Sequence, residues 1–393
     1  MTLSRFAAAL SEHPVASHAV GETAGEIMER FGGDEPDLVV CFASPHFVGA
    51  MEDLAFALGN LLEPRVMLGA TAVAVAGGPR EVEDGPALSV FAASLPEARL
   101  TPAAFGVEQT ADGAAITGWP DLDHIPSNLL LLADPFSFPV DGFLRRLNDD
   151  AVGDRVAPVQ VIGGAASAAR GPGGNRLVLD SRVTSAGAVG AFVDGVEVRT
   201  VVSQGCRPVG QPYVVTRSEG NRIEELAGRA AIERVQDTAS EASEEDRSLM
   251  RAGLHLGVVV DEHQTDFLRG DFLVRNVLGI DRDSGALGIN DRVRVGQTVQ
   301  FHVRDAQTAD EDLHALLQMD LTAHERRPAA ALLFSCNGRG TRLFNEPHHD
   351  ARAVRAEAGP IPLAGFFAQG ELGPVGGLNF IHGFTASVAL FEG

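Results

Sequence analysis

ALLFSC at residues 331–336 is an apolar run of strand length that leads into NGRGTRLFNEPHHD (337–350), a helix-like HDARAVRAEAG (349–359) and a second apolar run, PLAGFFAQG (362–370). An apolar run, a polar turn, a helical segment and another apolar run about thirty residues on is the pattern of a β-α-β unit. It occurs twice upstream: LVVCFAS (38–44) and VMLGATA (66–72) bracket FVGAMEDLAFALGNLLE (47–63), while LLLLADP (129–135) and VQVIGGAAS (159–167) bracket VDGFLRRLNDD (140–150). ALSVFAASL (87–95), AGAVGAFVDG (186–195) and TASVALFEG (385–393) follow as alternating stretches, the mark of antiparallel strands. Three β-α-β units with meanders predict an α+β protein of mixed, largely antiparallel sheets with flanking helices.

Between the second and third units, residues 270–305 alternate apolar and polar around the turns DRDSG and GIND, which predicts antiparallel strands. Residues 309–327 place Leu313, Leu316, Leu317 and Leu321 at helical spacing behind an acidic first turn, which predicts a surface-packed helix. DTASEASEEDR (237–247) holds five acids and one arginine and reads as a solvated face or a linker. GPGGN (171–175) is a turn without the strand and helix of a nucleotide fingerprint, and RGD (269–271) is a chance tripeptide.

Composition limits the chemistry. The 393 residues are 45% hydrophobic, enough for two or three cores, and 31 basic against 53 acidic residues give a net charge of −22. Such a field repels phosphate backbones and anionic lipid headgroups, so neither nucleic acid nor a membrane surface is expected as a partner. All 31 basic residues are arginine. Without lysine there is no Schiff base to pyridoxal phosphate, no aldolase-type imine and no P-loop lysine, and no cofactor is expected. An anion must be met by arginine, which gives weight to Arg339 and Arg207. Three widely spaced cysteines, Cys41, Cys206 and Cys336, suit reduced thiols in a cytoplasmic protein better than a disulfide framework. The N-terminal apolar run is too short for a signal peptide, and no apolar segment reaches the length of a membrane span.

Candidate site residues cluster where strands end. In SCNGRG (335–340), Gly338 and Gly340 permit positive φ and expose backbone N–H groups around Asn337 and Arg339, forming either an anion nest or only a tight strand exit. Cys336 is either inert core or, with His348 as base, the nucleophile of an enzyme. Glu371, between Gly370 and Gly373, sits where a turn aims its carboxylate at an amine or at Arg339, or faces solvent. His348 and His349 lack the spacing of a metal site and mark a helix start, and no metal is expected. Gly163 and Gly164 permit close approach of a ligand or of a neighbouring strand. Cys206 and Arg207 repeat the Cys and Arg pair, with Pro208 pointing to a loop.

These residues carry a resemblance. SCNGRG, GFFAQGELGP (365–374) and the closing His-x-x-Thr at 382–385 resemble the C-terminal FIST domain, and residues 68–96, VIGGAASA (161–168) and VSQGCRPVGQPYVVT (202–216) resemble the N-terminal one. The chain is thus similar to stand-alone bacterial FIST proteins, which implies two domains, 1–219 and 220–393. The resemblance implies a sensory or binding protein for a small polar ligand, an amino acid or other small carboxylate, coupled to a signalling protein partner. It also implies site membership for His382, with Arg339 for the ligand's carboxylate and Glu371 for its ammonium. A Cys336-dependent enzyme and a protein-interaction scaffold are the alternatives, and the oligomeric state stays unassigned.

Overall fold

The computed structural model describes residues 4–110, 113–154, 158–264, 267 and 270–393. Arg269 of the RGD tripeptide lies outside them. Two compact units are present: one comprises the chain up to Val202 with Leu313–Ile381 and Thr385–Gly393, the other Ser203–Asp312 with His382–Phe384. Strand makes up 42% and helix 26%, in mixed sheets, so the class is α+β.

In the first unit, Leu38–Ala43 pairs in parallel with Val66–Thr71, Asn128–Ala133 with Gln160–Ala165, and Pro328–Cys336 with Leu363–Ala368. The helices Met51–Leu62, Val140–Asp154 and His349–Ala358 connect them. Leu88–Ser94, Ala188–Asp194 and Thr385–Glu392 lie antiparallel against the first strand of each pair.

These first strands show no polar alternation because both of their faces are covered. Along each strand successive side chains point to opposite faces. Leu38, Val40 and Phe42, with Leu130, Leu132, Leu332 and Phe334, fall into one core shared by three sheets. Val39 and Cys41 instead pack under Met51, Leu54 and Leu58 of their helix. Leu129 and Leu131 meet Phe143 and Leu144, and Ala331 and Leu333 meet Leu313, Leu317 and Val354. Phe42 touches Phe366 at 4.9 Å between centroids and Phe334 at 6.2 Å. Each buried phenylalanine removes enough apolar surface from water to stabilise the fold by about 2–3 kcal/mol.

Two short additions bring distant sequence to the third sheet and the second. The hairpin of Val75–Gly77 and Arg80–Val82 joins the edge of Leu363–Ala368. Glu371–Val375 joins Gln160–Ala165, with Gly164 opposite Glu371.

In the second unit, Cys206–Glu219 pairs with Thr298–Arg304 through its first half and with Arg222–Leu226 through its second. The seven-stranded sheet therefore closes on itself around Val215, Ile223, Leu256, Leu287 and Phe301. Pro208 lies within this strand rather than in a loop; it precedes the bulge between Val209 and Tyr213, where a missing N–H is tolerated. The acidic stretch 237–247 is not a linker. It spans the end of the helix Ala231–Glu241 and the start of Glu244–Ala252, whose Ser243 accepts a bond from the Asp246 N–H. Acids in a first helical turn are favoured by the helix dipole, which a reading from charge density alone overlooks.

Gly163 adopts φ 146°, and a Cβ there would lie 1.9 Å from the Leu131 carbonyl oxygen. Its partner Gly164 would meet the Ala368 Cβ at 2.8 Å and Phe366 at 3.1 Å. Both glycines serve strand packing, which corrects the expectation that they admit a ligand. Gly163→Ala is expected to destabilise the protein by about 2 kcal/mol or more, read as a fall in the urea midpoint.

Candidate functional site

The turn after Pro328–Cys336 and the start of the helix His349–Ala358 are tied by one ion pair with neither side chain exposed. Arg339 Nε donates to Asp350 Oδ2 at 2.7 Å and Nη2 to Oδ1 at 2.8 Å, both side chains 0% exposed. Ser335 Oγ and His349 Nδ1 add bonds to the same carboxylate at 2.6 and 2.9 Å. The Phe344 ring lies between Arg339, 5.2 Å from its centroid, and His349, stacked at 3.4 Å. Burial alone would drive both charges towards neutrality, but each is the other's counterion: Arg339 is raised above the ordinary arginine value and Asp350 is held well below the carboxylate range.

The arginine fork is therefore occupied. This corrects the expectation that Arg339 offers a bidentate grip to a ligand carboxylate; only Nη1 remains, buried and without a hydrogen-bond partner. The anion nest is likewise filled from within. Thr341 N–H donates to both oxygens of Glu83, at 2.9 and 3.1 Å, and Thr341 Oγ1 adds a bond at 2.8 Å. Gly340 turns at φ 60°, and a Cβ there would come within 2.7 Å of that carboxylate. Asn337 N–H donates to the Ala368 carbonyl at 2.8 Å and Arg339 N–H to the Cys336 carbonyl at 2.8 Å.

Glu371 faces the same cluster, since Arg339 feels both its carboxyl group and Cys336 electrostatically. It is fully buried. Its Oε2 accepts from Thr385 N–H at 3.1 Å and Thr385 Oγ1 at 2.7 Å, while Oε1 has no partner. Burial pushes Glu371 up to about 8 against the pull of those bonds and of Arg339. With two donors on Oε2, the proton of the neutral acid belongs on Oε1. Burial thus favours the neutral acid, a hydrogen-bond donor rather than a counterion. Cys336 is 7% exposed, its sulfur 3.9 Å from Asn337 Oδ1, and Asn337 and Gly338 are half-buried.

Glu81 is the member that sequence reasoning missed. Its Oε1 accepts from the Ala351 N–H at 2.9 Å at the helix start, and Oε2 is buried without a partner. Burial and the neighbouring Asp350 charge push it up to about 8. His348, in the left-handed conformation at φ 68°, accepts the Glu81 N–H on Nδ1 at 2.9 Å. This bond occupies one ring nitrogen of the residue expected to serve as base for Cys336. Glu81 and Glu83 lie more than 250 positions from their partners, and only the GGPREVEDGP stretch matched to the family pointed there.

Two expected members fall in the second unit. Arg207 pairs with Asp246 at 2.6 Å and Asp305 at 2.8 Å, so its charge is already met by carboxylates. His382 is buried, 5% exposed, at the end of the strand Leu378–His382.

The FIST N domain matches residues 37–229 and the FIST C domain residues 231–374. The chain belongs to the FIST family. FIST domains are sensory domains associated with signalling. Among similar proteins, the uncharacterized protein Rv0628c of Mycobacterium tuberculosis is 41% identical over 388 residues, covering 98% of this FIST protein and 99% of the relative. The uncharacterized protein Mb0898c of Mycobacterium bovis is 40% identical over 381 residues, 96% of each chain. Among the described residues of the FIST protein, no helix is long and apolar enough to cross a membrane.

Removing one partner of the central pair leaves an uncompensated buried charge. Asp350→Ala is expected to lower stability by about 3–5 kcal/mol, and Arg339→Met added to it to restore part of that loss in a urea double-mutant cycle. Glu371 and Glu81 set a pH dependence. Both carry folded-state values raised from 4.5 to about 8, so the folded protein holds protons that the unfolded chain releases above 4.5. Their contribution to stability is therefore greatest below that point and declines as pH rises towards 8. Glu371→Gln is expected to flatten this slope in denaturant melts; an unchanged slope would show that Glu371 is ionised in the fold.

Proposed function

We propose that this FIST protein is a sensory binding protein for a small polar ligand, an amino acid or a comparable small carboxylate, and that occupancy is passed to a signalling partner. The observation that carries the reading is the pair of unpartnered buried groups, Arg339 Nη1 and Glu371 Oε1, in one electrostatic cluster beside the half-buried Asn337–Gly338 turn. Leaving such groups unsatisfied costs about 1–3 kcal/mol each, more for a charge, and a ligand that bonds them recovers that energy. Arg339 Nη1 is a donor, and so is Glu371 in its neutral form. The complementary ligand group is an acceptor with two lone-pair-bearing oxygens, a carboxylate.

Charge balance narrows the class. Asp350 already neutralises Arg339, burial pushes Glu81 and Glu371 towards their neutral forms, and the Glu83 carboxylate occupies the adjoining turn, so the cluster has no positive charge to spare. A plain carboxylate brings an uncompensated negative charge into a buried site, which is expensive. A zwitterionic amino acid brings its own ammonium, which offsets that charge. Differential affinity for one arrangement of the cluster is what a partner would read.

A thermal-shift screen tests the reading, because a ligand that binds only the folded state raises the melting temperature with its concentration over Kd. At pH 7 at least one amino acid is expected to give a saturable shift, its des-amino carboxylate a smaller one, and Glu371→Gln to weaken it about tenfold, on the order of 1.4 kcal/mol. No shift with any amino acid or small carboxylate would remove the proposal.

A further inference from the structure

A second feature of the first unit, sharing no lining residue with the Arg339 cluster, is a groove of about 280 Å³ between the helix Ala16–Phe31, the Gly77–Arg80 turn and the end of the helix His349–Ala358. Its charged lining is three arginines, Arg30, Arg80 and Arg355, against one acid, Glu26. In a chain of net charge −22, such a local excess of cation is the reverse of the average surface. Arg30 is bridged to Glu26 at 3.0 Å and Arg80 to Glu12 at 2.5 Å, both pairs half-exposed. Pairs of that kind contribute little stability and are readily exchanged for another anion. Arg355 differs. It is half-buried, its guanidinium has no ion pair or hydrogen bond among those of the described residues, and it rests its Nη1 against the turn, 3.2 Å from where a Cβ on Gly78 would stand.

Its place in the last helical turn gives Arg355 a favourable interaction with the helix dipole, but that is satisfied equally well by an arginine directed to solvent. The dipole does not account for three guanidinium groups lining one groove. Three arginines lining one groove, two of them in exchangeable surface pairs, suit a tetrahedral dianion, whose oxygens accept several charge-assisted bonds at once, better than a single planar carboxylate. The volume admits a phosphate with a small organic body and falls short of most larger ligand sites. We propose that this groove is a second binding site, for a small molecule carrying a phosphate group, with Arg355 as its principal contact and Arg80 and Arg30 completing the cage.

The test is calorimetric titration of the full chain with inorganic phosphate and with pyrophosphate, at constant ionic strength, with acetate as the competing anion. Saturable binding is expected for the wild type and for Arg352→Gln, an exposed neighbour on the same helix that does not line the groove. Affinity is expected to fall at least tenfold in Arg355→Gln and severalfold in Arg80→Gln, so that a folding defect in either variant leaves the other to decide. Absence of saturable binding, wild-type affinity in a folded groove variant, or displacement by acetate at matched concentration would each overturn the proposal.

Discussion

One buried ion pair organises the candidate site. Arg339 sits in the turn that follows a core strand, and Asp350 opens the helix that leads to the next strand, so their two bonds fix the geometry of a β-α crossover at its most irregular point. The pair is isolated from solvent, and its worth is positional: burying both charges offsets most of their attraction, whereas breaking the pair is strongly unfavourable. Ser335, His349 and Phe344 complete the shell around it, so that the guanidinium is held in its plane by Asp350 and on its face by an aromatic ring. One nitrogen, Nη1, is left without a partner by this arrangement.

The carboxyl groups around the pair divide by their bonding. Asp350 stays ionised because a cation and two further donors meet it, while Glu81, with one backbone donor and Asp350 for a neighbour, is driven towards the neutral form. Glu371 is driven the same way by burial, with its two Thr385 bonds on a single oxygen. Pairs of titratable groups pushed in opposite directions are characteristic of functional sites, although structural networks produce them as well. Here the asymmetry leaves donors, not carboxylates, facing the unpaired positions, and that polarity gives the site its chemical preference.

The fold was legible where the strands are doubly buried. LVVCFAS, LLLLADP and ALLFSCN stand out because neither face of these strands meets water, which removes the alternation and leaves unbroken apolar runs. Strand Arg5–Ser11 and the hairpin of Val75–Gly77 and Arg80–Val82 were not separately read, since a seven-residue terminal strand and three-residue strands carry too little pattern. The helix end and the helix start in 237–247 were hidden by their own acidity. Of the site, Cys336, Arg339 and Glu371 could be found because they sit at strand ends with glycines beside them. Their occupants could not: that Asp350 takes the fork and Glu83 takes the turn depends on contacts across 11 and 258 positions. Arg207 was misjudged for the same reason, its acids Asp246 and Asp305 being distant in sequence.

The absence of lysine and the form of the site are connected. A lysine at 339 would place a single ammonium against Asp350, but its three donors radiate from one point and cannot meet two carboxylate oxygens in a plane, stack on Phe344 and extend a further donor outward. Arginine does all three because its charge is spread over a rigid fork with five N–H groups. It also keeps its charge when buried, whereas an ammonium under the same desolvation would lose its proton readily and leave Asp350 without a counterion. The turn at 335–340 and the helix start at 349 thus require the guanidinium itself, and the unpaired Nη1 is a direct consequence of a five-donor group meeting a two-oxygen partner.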